Sequence, residues 1–154
     1  MATLLFKTPV PVQPKMDNRF IVEFPEQFNI EPWVFQSITK PRITLKEKTF
    51  NFFNIWKYST VKSTWSNIEM TMLDPIGPSS SAAIKDLIEF CDVNQGDTLF
   101  SFTIKALDPT GIEVETWTID VESLVSVDFG SYDYSKDGIQ KITMILKPSD
   151  CRLS

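Results

Sequence analysis

Residues Leu99 to Lys147 restrict this chain more than any other stretch, because runs of β-formers alternate there with turn residues. Phe100, Phe102 and Ile104 share one face of the first run, with Leu99, Ser101, Thr103 and Lys105 on the other. Asp108-Pro109-Thr110-Gly111 supplies a turn, since Pro presets φ and Gly tolerates positive φ. Trp117, Ile119 and Val121 align in a second run, and Val125, Val127 and Phe129 in a third. Asp137-Gly138 is a hairpin signal before a fourth, in which Ile142, Met144 and Leu146 oppose Lys141, Thr143 and Ile145. The spacing predicts an antiparallel meander of four strands.

Two features of this meander bear on function. Several runs carry apolar residues on both faces, as Ile139 and Ile145 do opposite Ile142, Met144 and Leu146. A single antiparallel sheet with one wet face shows cleaner alternation. Either two sheets pack as a sandwich, or another copy of the chain covers the second face. The other feature is charge. Asp108 to Gly138 holds eight acids (Asp108, Glu113, Glu115, Asp120, Glu122, Asp128, Asp133 and Asp137) against one base, Lys136.

The N-terminal half has a different character. Thr8 to Pro14 is a proline-spaced arm, extended because each Pro fixes φ and restricts the residue before it. Asn18 to Phe24 reads as a strand with Phe20, Val22 and Phe24 on one face, ended by Pro25, and a second strand spans about Trp33 to Thr39. Arg42 to Lys48 alternates sharply, with Ile43 and Leu45 opposite a basic row of Arg42, Lys46 and Lys48 that Lys40 extends. Such a row meets phosphate or acidic protein, or guards an edge strand against aggregation. Phe50 to Tyr58 is crowded with aromatics and lacks a helical or strand period, which suggests a loop folded over its own core or inserted into a partner. Trp65 to Leu73 reads as a strand and Ser81 to Val93 as the one helix, with Ile84, Leu87, Ile88 and Cys91 on its apolar face. The order β-β-β-α-β-β-β-β argues a mainly antiparallel α+β domain with one helix laid on it.

Composition narrows the chemistry. The 154 residues suffice for one domain with a substantial core. Histidine is absent, which removes His-dependent triads, imidazole bases and His metal sites. Two separated cysteines give no disulfide framework or zinc site, and five glycines leave little material for a phosphate loop, so no cofactor is expected. The N-terminus lacks a signal-peptide pattern and no apolar run is long enough to span a bilayer. The net charge of −5 hides an asymmetry. Met1 to Lys62 holds nine bases and five acids, and Ser63 to Ser154 six bases and fifteen acids. Opposite halves of this kind attract copies head to tail, and such heterologous contacts generate rings or stacks.

Ordered landmarks along residues 18–147 resemble the tail tube proteins of contractile-tailed, T-even-type bacteriophages, which share a fold with type VI secretion tube proteins. They are Asn18 to Phe24, Phe35-Gln36 with Pro41, Trp65 to Leu73, Leu87 to Phe90, Ile104 to Leu107 with Pro109, Val127-Asp128-Phe129, and Ile139-Gln140 with Ile142-Thr143-Met144. The arm before Met16 and the tail from Pro148 to Ser154 have no counterpart, so the chain divides into an arm (1–17), a tube-like domain (18–147) and a tail (148–154). The resemblance implies two packed antiparallel sheets, with inner strands joined between subunits into one β-barrel. It implies hexameric rings stacked into a tube in a virion tail assembled in the host cytoplasm. A sheath lies outside, a baseplate hub and a terminator lie at the ends, and DNA or a tape-measure protein passes through the lumen. A tube initiator near the baseplate, or a tube subunit of a related injection machine, would share the fold. On this reading the arm and Arg42, Lys46, Phe50, Phe52, Phe53, Trp56 and Tyr58 are subunit contacts, and Glu113, Glu115 and Asp120 are lumen-facing acids.

Two rival classes have residues behind them. Glu113 with Glu115, or Asp120 with Glu122, form carboxylate pairs two apart on a strand, as a small hydrolase would need. Lys40, Arg42, Lys46 and Lys48, with Phe50, Phe52 and Trp56 as stacking groups, suit a nucleic-acid binder, against which the acidic balance argues.

Overall fold

A computed structural model describes residues 14–52, 55–93 and 98–154, the stretches 46–52 and 55–62 by backbone alone. The elements are β1 (Phe20–Glu23), β2 (Phe35–Ile38), β3 (Ile43–Phe52), β4 (Ile55–Trp65), β5 (Ile68–Leu73), α1 (Ser80–Val93), β6 (Phe100–Leu107), β7 (Glu113–Asp128) and β8 (Lys141–Leu153). Six strands form one antiparallel sheet in the order β1-β6-β7-β8-β5-β2, and β3 and β4 form a separate two-stranded ribbon. The sheet is nearly closed. Its outermost strands approach at one end, where the rings of Phe24 and Phe35 stack 5.4 Å apart.

Alternation builds the core. Ile68, Met70 and Met72 of β5, Phe100, Phe102 and Ile104 of β6, Ile119 and Val121 of β7, and Ile142, Met144 and Leu146 of β8 all point inward and are buried. Helix α1 adds Ile84 and Leu87 to the same cluster. Its N-terminus is capped twice. Ser79 Oγ accepts from the Ala82 N–H, and the Asp74 carboxylate accepts from the N–H and hydroxyl of Ser81.

The meander differs from expectation in strand count. The second and third predicted runs are one strand, β7, sixteen residues long. Register shifts against β8 between Asp120 and Ser126 let the chain change phase without leaving the sheet. Leu124 and Val127 pack against the core after the shifts, while Val125 and Phe129 stay exposed instead of forming an inward row. Residues set apart as a tail continue β8 to Leu153, with Leu153 opposite Trp117. Pro148 is accommodated because it sits at one of these irregularities, where a missing N–H does least harm. Gly130 ends β7 with φ of 90°, and a Cβ there would lie 3.1 Å from the Lys141 carbonyl oxygen.

Two other expectations shift. The strand expected from Trp33 begins at Phe35, because Pro32 to Val34 form a 3-10 turn. The aromatic stretch expected as a loop is hairpin backbone: Phe50 and Phe52 lie on β3, and Ile55, Trp56 and Tyr58 on β4. Trp65 belongs to this hairpin, not to the strand that follows.

Candidate subunit interface

The β3–β4 hairpin leaves the sheet and returns to it through paired backbone. The Thr39 N–H donates to the Glu69 carbonyl at 2.9 Å, and the Ser66 N–H donates to the Arg42 carbonyl at 2.8 Å. Ile43 then pairs with Trp65, and the ladder runs on to Phe52 opposite Ile55. The hairpin brings together the residues expected at subunit contacts. Arg42 lies exposed at its root, and Lys46 occupies the register position facing Lys62. Tyr58 stands opposite Thr49, Phe50 opposite Lys57, and Trp56 opposite Asn51. Phe53 and residues 1–13 of the arm lie outside the described residues.

The three acids expected to face a lumen separate onto two sides of the sheet. Glu113 faces Leu107 and Glu115 faces Ala106, so Val114 is an extra residue on β7. That bulge turns Glu113 onto the outer face, where it meets Lys105 Nζ at 3.0 Å. Lys105 also reaches Glu23 at 3.1 Å, and Glu113 first, then Glu23, raises its pKa. Asp120 shares that outer face. It accepts from the Ser101 hydroxyl and pairs with Arg152 at 3.2 Å. These outer acids are therefore compensated by cations, which blunts the repulsion expected of an acidic lining.

Glu115 points the other way and is only 8% exposed. Its carboxylate accepts from Lys15 Nζ and the Trp117 indole N–H, and pairs with Lys40 Nζ at 3.2 Å. Lys15 first, and also Trp117 and Lys40, outweigh the cost of burial and hold its pKa near about 2. It forms the floor of a cleft of about 350 Å³ at the open end between β1 and β2, lined also by Phe20, Ile38, Ile104 and Trp117. Each acid of the two carboxylate pairs considered for hydrolysis is paired with a cation. Glu113 and Glu115 lie on opposite faces, Glu115 is neutralised, and Glu122 pairs with Lys147 at 3.7 Å. No group of three or more metal-ligating side chains occurs among the described residues.

A second exposed surface escaped the sequence. Tyr132 and Tyr134, in the connection from β7 to β8, are 95% and 111% exposed, and Ile76 before α1 is 106% exposed. The only signal was a pair of aromatics between Gly130 and Gly138, without the spacing that marks a face.

No family model matches the chain, and no curated protein sequence matches it. Solved structures do. A chain of the anti-feeding prophage cap (tube-terminating cap) superposes with a TM-score of 0.78 at 17% identity, over 100% of this chain and 99% of that one. A chain from the sheath/tube terminator of the extracellular contractile injection system PVC, in its extended state, gives 0.72 at 20% identity, over 97% and 99%. A chain from the PVC sheath–tube complex gives 0.71 at 19% identity, over 99% and 96%. The fold is the one these injection-system chains share. It is mainly β with one helix, as the sequence pattern led one to expect, and the likeness runs from end to end.

Proposed function

We propose that this chain is a non-enzymatic structural subunit of the tube of a contractile injection machine, joining copies of itself into stacked hexameric rings. The observation that carries this reading is the end-to-end likeness to chains of tube-terminating and sheath–tube assemblies. The geometry supports it at two places. Among the described residues β1 pairs only with β6, and β2 only with β5, so each outermost strand shows one unpaired side there. The hairpin projects from the sheet with Ile43 and Leu45 exposed. Strands of neighbouring copies would close the open edges into one shared barrel. The arm of residues 1–17 and the hairpin would reach adjacent copies, with sheath outside and baseplate at one end. The tail of a contractile phage is one machine of this kind, and there the lumen would carry DNA without binding it.

The test is direct. Purified protein at increasing concentration, examined by sedimentation and negative-stain microscopy, is expected to form rings or tubes. Persistent monomers, even beside a cap or baseplate partner, would overturn the proposal. A second reading, a terminator that closes a tube, is favoured by the cap and terminator matches. It predicts rings that bind a tube end but never stack on one another.

A further inference from the structure

Two described lysines outside the six strands of the sheet share one carboxylate. Lys15 stands within the stretch 1–17 read from the sequence as an arm, next to Pro14, the first described residue. Lys40 stands three residues before β3, at the root of the hairpin. Both ammonium groups converge on the Glu115 carboxylate, which β7 delivers from beneath. Trp117, two residues along the same strand, donates its indole N–H to Glu115 and packs edge-on against Trp65, the last residue of the hairpin. The outgoing and returning limbs of the hairpin therefore meet the same small cluster.

We propose that Glu115 is a positioning residue for assembly: it ties Lys15, at the base of the arm, and Lys40, at the root of the hairpin, to the sheet at one point. This rests on the reading that these two segments contact neighbouring copies. The physical basis is the asymmetry of the group. A buried carboxylate without partners is strongly disfavoured, so it recruits cations wherever the chain can bring them. Lys15 and Lys40 are both more than half exposed, and each alone is a weak surface partner. Their shared buried acceptor turns two mobile side chains into a fixed junction.

Hydrogen exchange on the monomer tests this without reference to assembly. Four root amides report it. Arg19 N–H donates to the Met16 carbonyl and Leu107 N–H to the Arg19 carbonyl at the arm, and Thr39 N–H and Ser66 N–H close the hairpin root. Glu115→Gln, which keeps the shape and an acceptor for Trp117, should speed exchange at all four by about tenfold while core amides such as Met70 are unchanged. Lys15→Met should act on the arm amides alone, and Lys40→Met on the hairpin amides alone. Lys40→Arg, which keeps the charge, should retain protection. Uniform acceleration including the core would mean that Glu115 is merely structural, and unchanged exchange would mean that no junction exists; either result overturns the proposal. Where wild-type protein assembles, Glu115→Gln should lower the assembled fraction at constant melting temperature. If wild-type protein stays monomeric, the assembly reading fails, while the exchange pattern still decides whether the junction exists.

Discussion

The curled sheet and the β3–β4 hairpin are both antiparallel β-structure, yet they satisfy their chains differently. Every central strand of the sheet has two neighbours and an inward row of buried side chains. Among the described residues the β3 and β4 strands of the hairpin pair only with each other, and Trp65 at the root packs against the core. A two-stranded ribbon alone is marginal in water, and three strands or a packed face are needed for independent stability. The sheet therefore carries the core, and the hairpin lies outside its six-strand order. On the proposed reading, folding rests with the sheet and assembly with the hairpin, and substitutions should separate the two.

The sharpest way to break this comparison is in the sheet. Met144→Ala removes a fully buried side chain and should cost about 3 kcal/mol. Thermal unfolding should show a fall of roughly 10 °C. A small change would mean that the core is not where the burial places it. Trp56→Ala, on the hairpin, should do the opposite: assembled material falls about tenfold while the melting temperature barely moves. A lowered melting temperature with unchanged assembly would make Trp56 part of the fold.

The junction between the two regions should respond to pH. The Glu115 pKa is lowered from 4.5 to about 2, with Lys15 the leading cause. A depressed carboxylate contributes stability that is fully present above about 4.5 and lost as pH falls through about 2. The free energy of local opening at the Thr39, Ser66 and Arg19 amides, read by hydrogen exchange, should therefore differ between wild type and Glu115→Gln most near neutral pH and converge as pH drops through that window. A constant gap would show that Glu115 is not ionised in its cleft. Smallest of all, Tyr134→Ser at a fully exposed position should change monomer stability by less than about 0.5 kcal/mol. A larger loss by chemical denaturation would show that the exposed loop helps hold the sheet together.

What the sequence made legible follows from where order is local. The inward rows of β5, β6 and the first half of β8 could be read because a half-buried strand must alternate. Helix α1 was read to within one residue from its apolar spacing. The hairpin looked like a loop because the aromatics from Phe50 to Tyr58 do not keep the alternation that marks a half-buried strand. The break expected near Leu124 was a series of bulges, and these are set by the partner strand. Glu115 was one acid among eight, and nothing local marks it. Lys15, which fixes its state, is one hundred residues away.

The short rims of the curled sheet carry one further consequence. β1 and β2 are four residues each, so the two rims of the curled sheet present few unpaired backbone groups to a passing strand. These rims are thereby poor templates for indiscriminate strand pairing. On the proposed reading, two copies that met at one rim alone would hold each other weakly, and a ring would be favoured only once several surfaces engage together.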